Sequence, residues 1–214
     1  MINKFSIIIS NTLRSYCYLK TLRENNLTPC TIIYLDDNLN NKIAFKLKKK
    51  KFFFPSVKLK LFKSKDINGK VSKFILSLTE KNIVYSGYSG IIIKETLILN
   101  KKNLIHSHSG KLPKYKGSTT IYYSILNEKK IFCSTIILNK NLDNGKILLI
   151  KKYSIPRKIK FIDENYDNKI RSKNLIQVLK NYKILKKKYK NSKNFIPYFI
   201  IHPVLRAIVF RKYS

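Results

Sequence analysis

Acidic side chains are scarce in this 214-residue chain: 11 Asp and Glu stand against 45 Lys and Arg, a formal net charge of +34. That imbalance points to anionic partners, with nucleic acid the first to consider. Lys, Asn and Ile are abundant together throughout, however, as strongly A/T-biased coding would make them, so part of the lysine excess is compositional. The runs Lys48–Lys51 and Lys186–Lys188 accordingly read as solvated faces, with nonspecific attraction of RNA or phosphorylated substrates second. Cysteine is scarce as well. Cys17, Cys30 and Cys133 are odd in number and lack CxxC spacing, which excludes a disulfide framework and predicts reduced, buried thiols. Glycine is missing from the turn after the first strand, SNTLRS at Ser10–Ser15, so no dinucleotide or phosphate loop needing close backbone approach is expected there. Long apolar runs are absent too. Phe195–Phe210 is broken by His202, Pro203 and Arg206 and falls short of a membrane span. It reads as a closing segment docked on the domain, with His202 structural; an interfacial membrane contact is the other reading. The N-terminal apolar run is too short for an export segment, and a cytoplasmic location is expected. No repeat or low-complexity linker divides the chain.

Enough remains for a substantial core, since 44% of residues are hydrophobic. Strand and helix signals alternate: strands at Ser6–Ile9, Thr31–Tyr34 and Asn82–Tyr85, helical stretches at Leu13–Arg23 and Val71–Leu78. Alternation of this kind predicts an α/β fold with a mostly parallel sheet. From Asp163 onward an amphipathic helix, interrupted or preceded by a turn, is expected to pack on the sheet, and no acidic residue follows Asp167.

Histidine is scarce, three in all, yet two fall in HSHSGKLPKYKGSTT at His106–Thr120. Histidine is the side chain that donates or accepts a proton near neutral pH, so this concentration marks a candidate catalytic loop against the alternative of packing histidines. Asn103–His106 reads as the end of a buried strand, and Ser109, Gly110, Pro113 and Gly117 break regular structure after it. Ligands of open α/β sheets bind at that carboxyl edge. Thr119–Leu126 reads as the following helix, with Ser118 and Thr119 either capping it or holding an anionic substrate group. A second strand, Phe132–Leu138, leads to Asp143 before the tight turn Asn144-Gly145. No metal is expected: His106, His108 and the distant His202 have no Cys or Glu at ligand spacing.

These residues resemble the folate-dependent formyltransferases, whose catalytic loop runs N-x-H-P-x-x-L-P-x-Y-x-G and is followed some dozens of residues later by D-x-G-x-I. HSHSGKLPKYKG and LDNGKI match that spacing, and the likeness extends from Ser6 to about Ile155. It implies a Rossmann-like, formyltransferase-type α/β fold, a mostly parallel sheet flanked by helices with a short C-terminal extension. Residues 1–160 would form the catalytic domain and 161–214 a helical extension packed on it. The resemblance places His108 on the family's histidine and Asp143 on its aspartate, while His106 stands where the family has asparagine and Ser109 where it has proline. It implies 10-formyltetrahydrofolate as formyl donor and a primary amine as acceptor. His108 would supply the hydrogen bond or proton, Asp143 would hold its tautomer and a proton-shuttling water, and His106 would donate to the oxyanion in place of the amide. Tyr85, Gly87, Tyr88 and Leu142 become folate-contact candidates. Asn11, Arg14, Gly110, Pro113, Tyr115, Gly117, Ser118 and Thr119 become substrate-contact or loop-shaping candidates; ordinary turn, cap and packing roles compete for each. The methionyl-tRNA enzymes of this family carry a further C-terminal domain that nothing here is long enough to supply, so the expected acceptor is small and anionic, a nucleotide-linked amino sugar. Glycinamide ribonucleotide is the alternative acceptor, and a decayed, basic nucleic-acid-binding protein the alternative class.

Overall fold

The computed structural model describes residues 1–36, 54–94, 96–97, 100–187, 190–191 and 196–213. The chain divides into two compact units, residues 2–106 and residues 107–214.

In the first unit the strands are β1 (Phe5–Ser10), β2 (Thr31–Leu35), β3 (Lys58–Phe62), β4 (Asn82–Ser86) and β5 (Asn103–His108); the helices are α1 (Leu13–Glu24) and α2 (Lys70–Ser77). The strands lie in the order β3-β2-β1-β4-β5 and every pairing is parallel, with Ile8 opposite Ile33 on one side and Tyr85 on the other. All six residues of β1 and all five of β2 are buried, as a parallel sheet covered on both faces requires. Thr12 starts α1 with extended backbone, its hydroxyl accepting from the Ser15 amide, so the helix is capped immediately beyond β1.

β5 runs two residues further than its sequence suggested, and its last two, Ser107 and His108, belong to the second unit. Serine and histidine look like loop residues, but Ser107 is wholly buried and its hydroxyl meets that of Thr135 at 2.8 Å, which lets the strand continue. Next come α3 (Thr120–Glu128) and an antiparallel hairpin of β6 (Ile131–Leu138) and β7 (Gly145–Tyr153). A 3-10 turn (Ile159–Phe161) and a π turn (Ile162–Tyr166) lead into α4 (Asp167–Lys187), followed by the two-residue β8 (Lys190–Asn191) and α5 (Pro203–Tyr213). All eight residues of β6 are buried. A core of Ile121, Ile125, Ile131, Cys133, Ile162, Ile170, Ile201 and Val209 draws on nearly every element of this unit. α4 packs on β6 and β7.

Several expectations need correction. Thr119 does not cap α3: it sits in the left-handed region at φ +50° with no capping hydrogen bond, and its hydroxyl accepts from the Ile201 amide at 2.8 Å. Ser118 lies one residue before the N-cap position, its amide donating to the Tyr198 carbonyl. Only Cys133 is a buried thiol; Cys17 is half-buried and Cys30 exposed, because the loop before β2 turns it outward. The closing segment docks through Ile201 and Val209 yet leaves Ile196, Phe199 and Ile200 exposed. Lys186 and Lys187 are exposed at the end of α4, while Lys188 and Lys48–Lys51 lie outside the described residues. Among the described residues no helix is long and apolar enough to cross a membrane.

Candidate active site

β5 delivers the two histidines, separated by one residue and therefore on the same face of the strand. In the first unit, His106 Nδ1 lies 3.1 Å from the Tyr85 carbonyl oxygen. A carbonyl only accepts, so that nitrogen carries the proton and Nε2 is the acceptor in the neutral ring. The Tyr85 ring sits 5.8 Å from the imidazole, and its hydroxyl donates to the Tyr88 carbonyl at 2.9 Å. Burial pushes the Tyr85 phenol up to about 12, against a smaller lowering by the Arg14 charge, so it stays a donor at physiological pH.

The turn after β4 is held from α1. Arg14 donates through Nε to the Ser86 hydroxyl at 3.3 Å and through its terminal nitrogen to the Gly87 carbonyl. Ser10 and Ser15 donate to the Ser86 carbonyl at 3.1 and 2.8 Å. A Cβ on Gly87 would lie 2.7 Å from the Tyr85 ring, so this position accepts only glycine without repacking. Arg14, Tyr85, Gly87 and Tyr88 are thus one bonded cluster with His106. Asn11 stands at its edge, its side-chain oxygen buried without a hydrogen-bond partner among the described residues.

In the second unit the geometry around His108 is tighter. Its Nε2 lies 2.7 Å from the Tyr115 carbonyl and 3.2 Å from the Thr120 hydroxyl, whose own proton goes to the Ser109 carbonyl. The ring is therefore held as the Nε2–H tautomer, and Nδ1 is the nitrogen left to work. Facing Nδ1 at 3.5 Å is Asp143 Oδ1, at the end of the β6–β7 hairpin. That separation is too long for a hydrogen bond and close enough for strong attraction once the ring is charged. The other carboxylate oxygen, Oδ2, accepts from the Gly117 amide at 2.9 Å. One oxygen of Asp143 is thus anchored and the other points at the histidine.

Loop 109–119 is built to hold these atoms. The Gly110 amide donates back to the His108 carbonyl at 3.1 Å, and a Cβ there would lie 2.3 Å from the Tyr115 carbonyl oxygen and 2.9 Å from His108 Nε2. Ser134 on β6 donates to the Gly110 carbonyl at 2.6 Å and accepts from the Leu112 amide at 3.1 Å. Leu112 joins Pro113 by a cis peptide bond, and Tyr115 is completely buried. Leu142, one residue before Asp143, is exposed and borders the hairpin turn.

Ser109, in the position of the family's proline, donates to Asp167 Oδ1 at the start of α4. Asp167 Oδ2 also pairs with Arg171 at 2.9 Å, and Arg171 donates to the Ser107 carbonyl at 3.3 Å. Both neighbours of His108 are thereby tied to α4. Sequence reasoning overlooked Asp167 and Arg171; their i,i+4 acid–base spacing was a signal, but one that usually marks an exposed helix face. Thr120 and Tyr198 carry no local signature.

A family model described as formyl transferase matches residues 19–180. A methionyl-tRNA formyltransferase of Thermodesulfovibrio yellowstonii is 37% identical over 84 residues, covering 39% of this chain and 27% of its own length. The matched stretch thus spans about a quarter of that relative. A sugar N-formyltransferase from a Shewanella species shares the fold at TM-score 0.62 and 15% identity, covering 97% of this chain and 86% of that one. An N-formyltransferase from Helicobacter canadensis, solved in complex with folinic acid and dTDP-3-aminofucose, shares it at TM-score 0.59 and 18% identity, covering 93% of this chain and 71% of that one.

Proposed function

The chain belongs to the formyl transferase family, and on that premise we propose that it transfers a formyl group from 10-formyltetrahydrofolate to a primary amine. The observation that carries this reading is the His108–Asp143 pair: Nε2 is committed to Tyr115, and Nδ1 lies 3.5 Å from a carboxylate oxygen whose partner oxygen is fixed by Gly117. In the reaction the amine nitrogen bonds to the formyl carbon, the bond from that carbon to N10 of the folate breaks, and one amine proton ends on N10. His108 Nδ1–H donates to the oxygen of the tetrahedral intermediate, and Asp143 balances the imidazolium and accepts from the water that carries the proton. His106 is a weaker oxyanion donor than an asparagine, because its neutral form spends its single ring proton on the Tyr85 carbonyl.

The folate donor suits the residues present. Tyr88 is half-buried and offers apolar surface to a flat ring, while Gly87 keeps the turn beside Tyr85 free of a side chain. In this reading residues 1–160 are the catalytic domain and 161–214 an extension packed on it.

The acceptor best supported is the amine of methionyl-tRNA. The relative that is 37% identical is named for that substrate, and a net charge of +34 suits a polyanion. The small-acceptor expectation rested on chain length, which carries no information about the amine; the amino-sugar reading draws support from the ligand named for the Helicobacter neighbour. The test is to supply formyl-labelled donor with methionyl-tRNA, a dTDP-amino sugar and glycinamide ribonucleotide in parallel. Label on the tRNA alone supports the lead acceptor, label on a small amine alone replaces it, and no label on any of them contradicts the transferase reading.

A further inference from the structure

We propose that residues 198–201 act as a strap that positions Asp143, with Tyr198 its central positioning residue; the inference rests on the assignment of His108 and Asp143 as the working pair. Tyr198 forms a parallel bridge with Gly117. Its amide donates to the Lys116 carbonyl at 2.8 Å, and its carbonyl accepts from the Ser118 amide at 2.9 Å. Ile201 adds a third bond, its amide donating to the Thr119 hydroxyl at 2.8 Å.

One of these bonds has direct chemical consequences. The Lys116 carbonyl and the Gly117 amide are the two ends of a single planar peptide group. Tyr198 holds the carbonyl end, and the amide end donates to Asp143 Oδ2 at 2.9 Å. Rotation of that peptide would swing the amide away from the carboxylate, so the strap fixes the donor that fixes Asp143. Hydrogen bonds at both ends also polarise the group and strengthen each other. Gly117 permits the approach: its φ is +103°, and a Cβ would lie 2.2 Å from the Tyr198 carbonyl oxygen and 2.8 Å from its amide nitrogen.

The strap is itself anchored. The Tyr198 ring lies 4.4 Å from that of Tyr123 and 5.7 Å from that of Tyr115, whose carbonyl holds His108. Ile201 is buried, and beyond it Arg206 on α5 pairs with Asp163 at 2.7 Å and donates to the Tyr122 hydroxyl at 3.0 Å. The strap and α5 lie past residue 180, where the match to the family model ends. Residues 198–201 therefore supply the catalytic loop with a support that the matched region does not contain.

The test compares Tyr198→Pro, which removes the amide bound to Lys116 and the stacked ring, with Tyr198→Phe, which keeps both. Two readouts need no acceptor: hydrogen exchange of the Gly117 and Ser118 amides, and the side-chain nitrogen shifts of His108. We expect exchange to quicken about tenfold or more in Tyr198→Pro and the His108 signals to move, with Tyr198→Phe like wild type. In formyl transfer, kcat should fall roughly 10- to 100-fold with donor KM little changed, since displacements of about 1 Å near reacting groups cost that much. Unchanged Gly117 exchange and His108 shifts in Tyr198→Pro would overturn the strap. Absence of transfer by wild type would instead overturn the catalytic assignment. Should Tyr198→Pro not fold, Thr119→Val, which removes the Ile201 bond alone, is judged by the same exchange and nitrogen-shift criteria.

Discussion

Replacing Asp143 by asparagine isolates the charge of the carboxylate from its shape. The amide oxygen of the new side chain can still accept from Gly117, now 2.9 Å from Oδ2, so the loop keeps its anchor. What disappears is a negative charge 3.5 Å from His108 Nδ1, which at an effective dielectric constant of about 20 attracts an imidazolium by about 5 kcal/mol before desolvation is counted. Both side chains are largely buried, so solvent screens the pair little, but the desolvation cost of the carboxylate returns part of the gain. If about half survives as transition-state stabilisation, kcat falls roughly 60-fold, at about 1.4 kcal/mol per tenfold. The assay is initial rate of donor consumption at saturating acceptor, with folate-analogue binding followed in parallel. Asp143→Asn should lose rate while binding the analogue within about threefold of wild type. A rate within about threefold of wild type would refute a catalytic role for this carboxylate.

Three further outcomes follow from other residues. His106→Asn supplies an amide donor, whereas neutral His106 has its one proton on the Tyr85 carbonyl; the variant should gain rate, and a loss beyond about tenfold would show that the histidine does something an amide cannot. Arg171→Ala leaves Asp167 and the Ser107 carbonyl without their cation, so stability should fall by about 2 kcal/mol and the melting midpoint by roughly 4–8 °C; an unchanged midpoint would refute the clamp. Burial alone would raise the Glu80 carboxyl, but hydrogen bonds from its own amide, Ser6, Cys30 and Thr79 outweigh it and hold the group below its ordinary value. A lowered folded-state pKa means stability present above the unfolded value of about 4.3 and lost as pH falls through the folded one, so the advantage of wild type over Glu80→Gln should shrink on acidification below that range in denaturant titrations.

The sequence was most readable where a single physical pattern dominated. Ile7, Ile8 and Ile9 in β1 and Ile32, Ile33 in β2 form continuous apolar runs, which parallel strands buried on both faces demand, and those elements lie within a residue or two of their expected bounds. The pairing of His108 with Asp143 was implied by the resemblance of HSHSGKLPKYKG and LDNGKI to the family's loop and D-x-G-x-I element, and the structure brings the two side chains to 3.5 Å. Tertiary partners were not legible. Ser107 looked like loop until Thr135 and Arg171 gave its polar groups buried partners. Thr119 looked like a helix cap, but its hydroxyl is claimed by Ile201, 82 residues away, and its backbone turns left-handed to allow it. Tyr198, the centre of the strap, stands in a segment whose pattern announced only an apolar stretch broken by His202, Pro203 and Arg206.

The central claim is that this chain holds a folate-borne formyl group beside His108. Calorimetric titration of the folded protein with 5-formyltetrahydrofolate, a stable analogue of the donor, tests it most directly. The account predicts one site per chain with a dissociation constant in the range of about 1 μM to 1 mM, unchanged within about threefold in His108→Ala. No detectable binding by protein with a cooperative unfolding transition would contradict it.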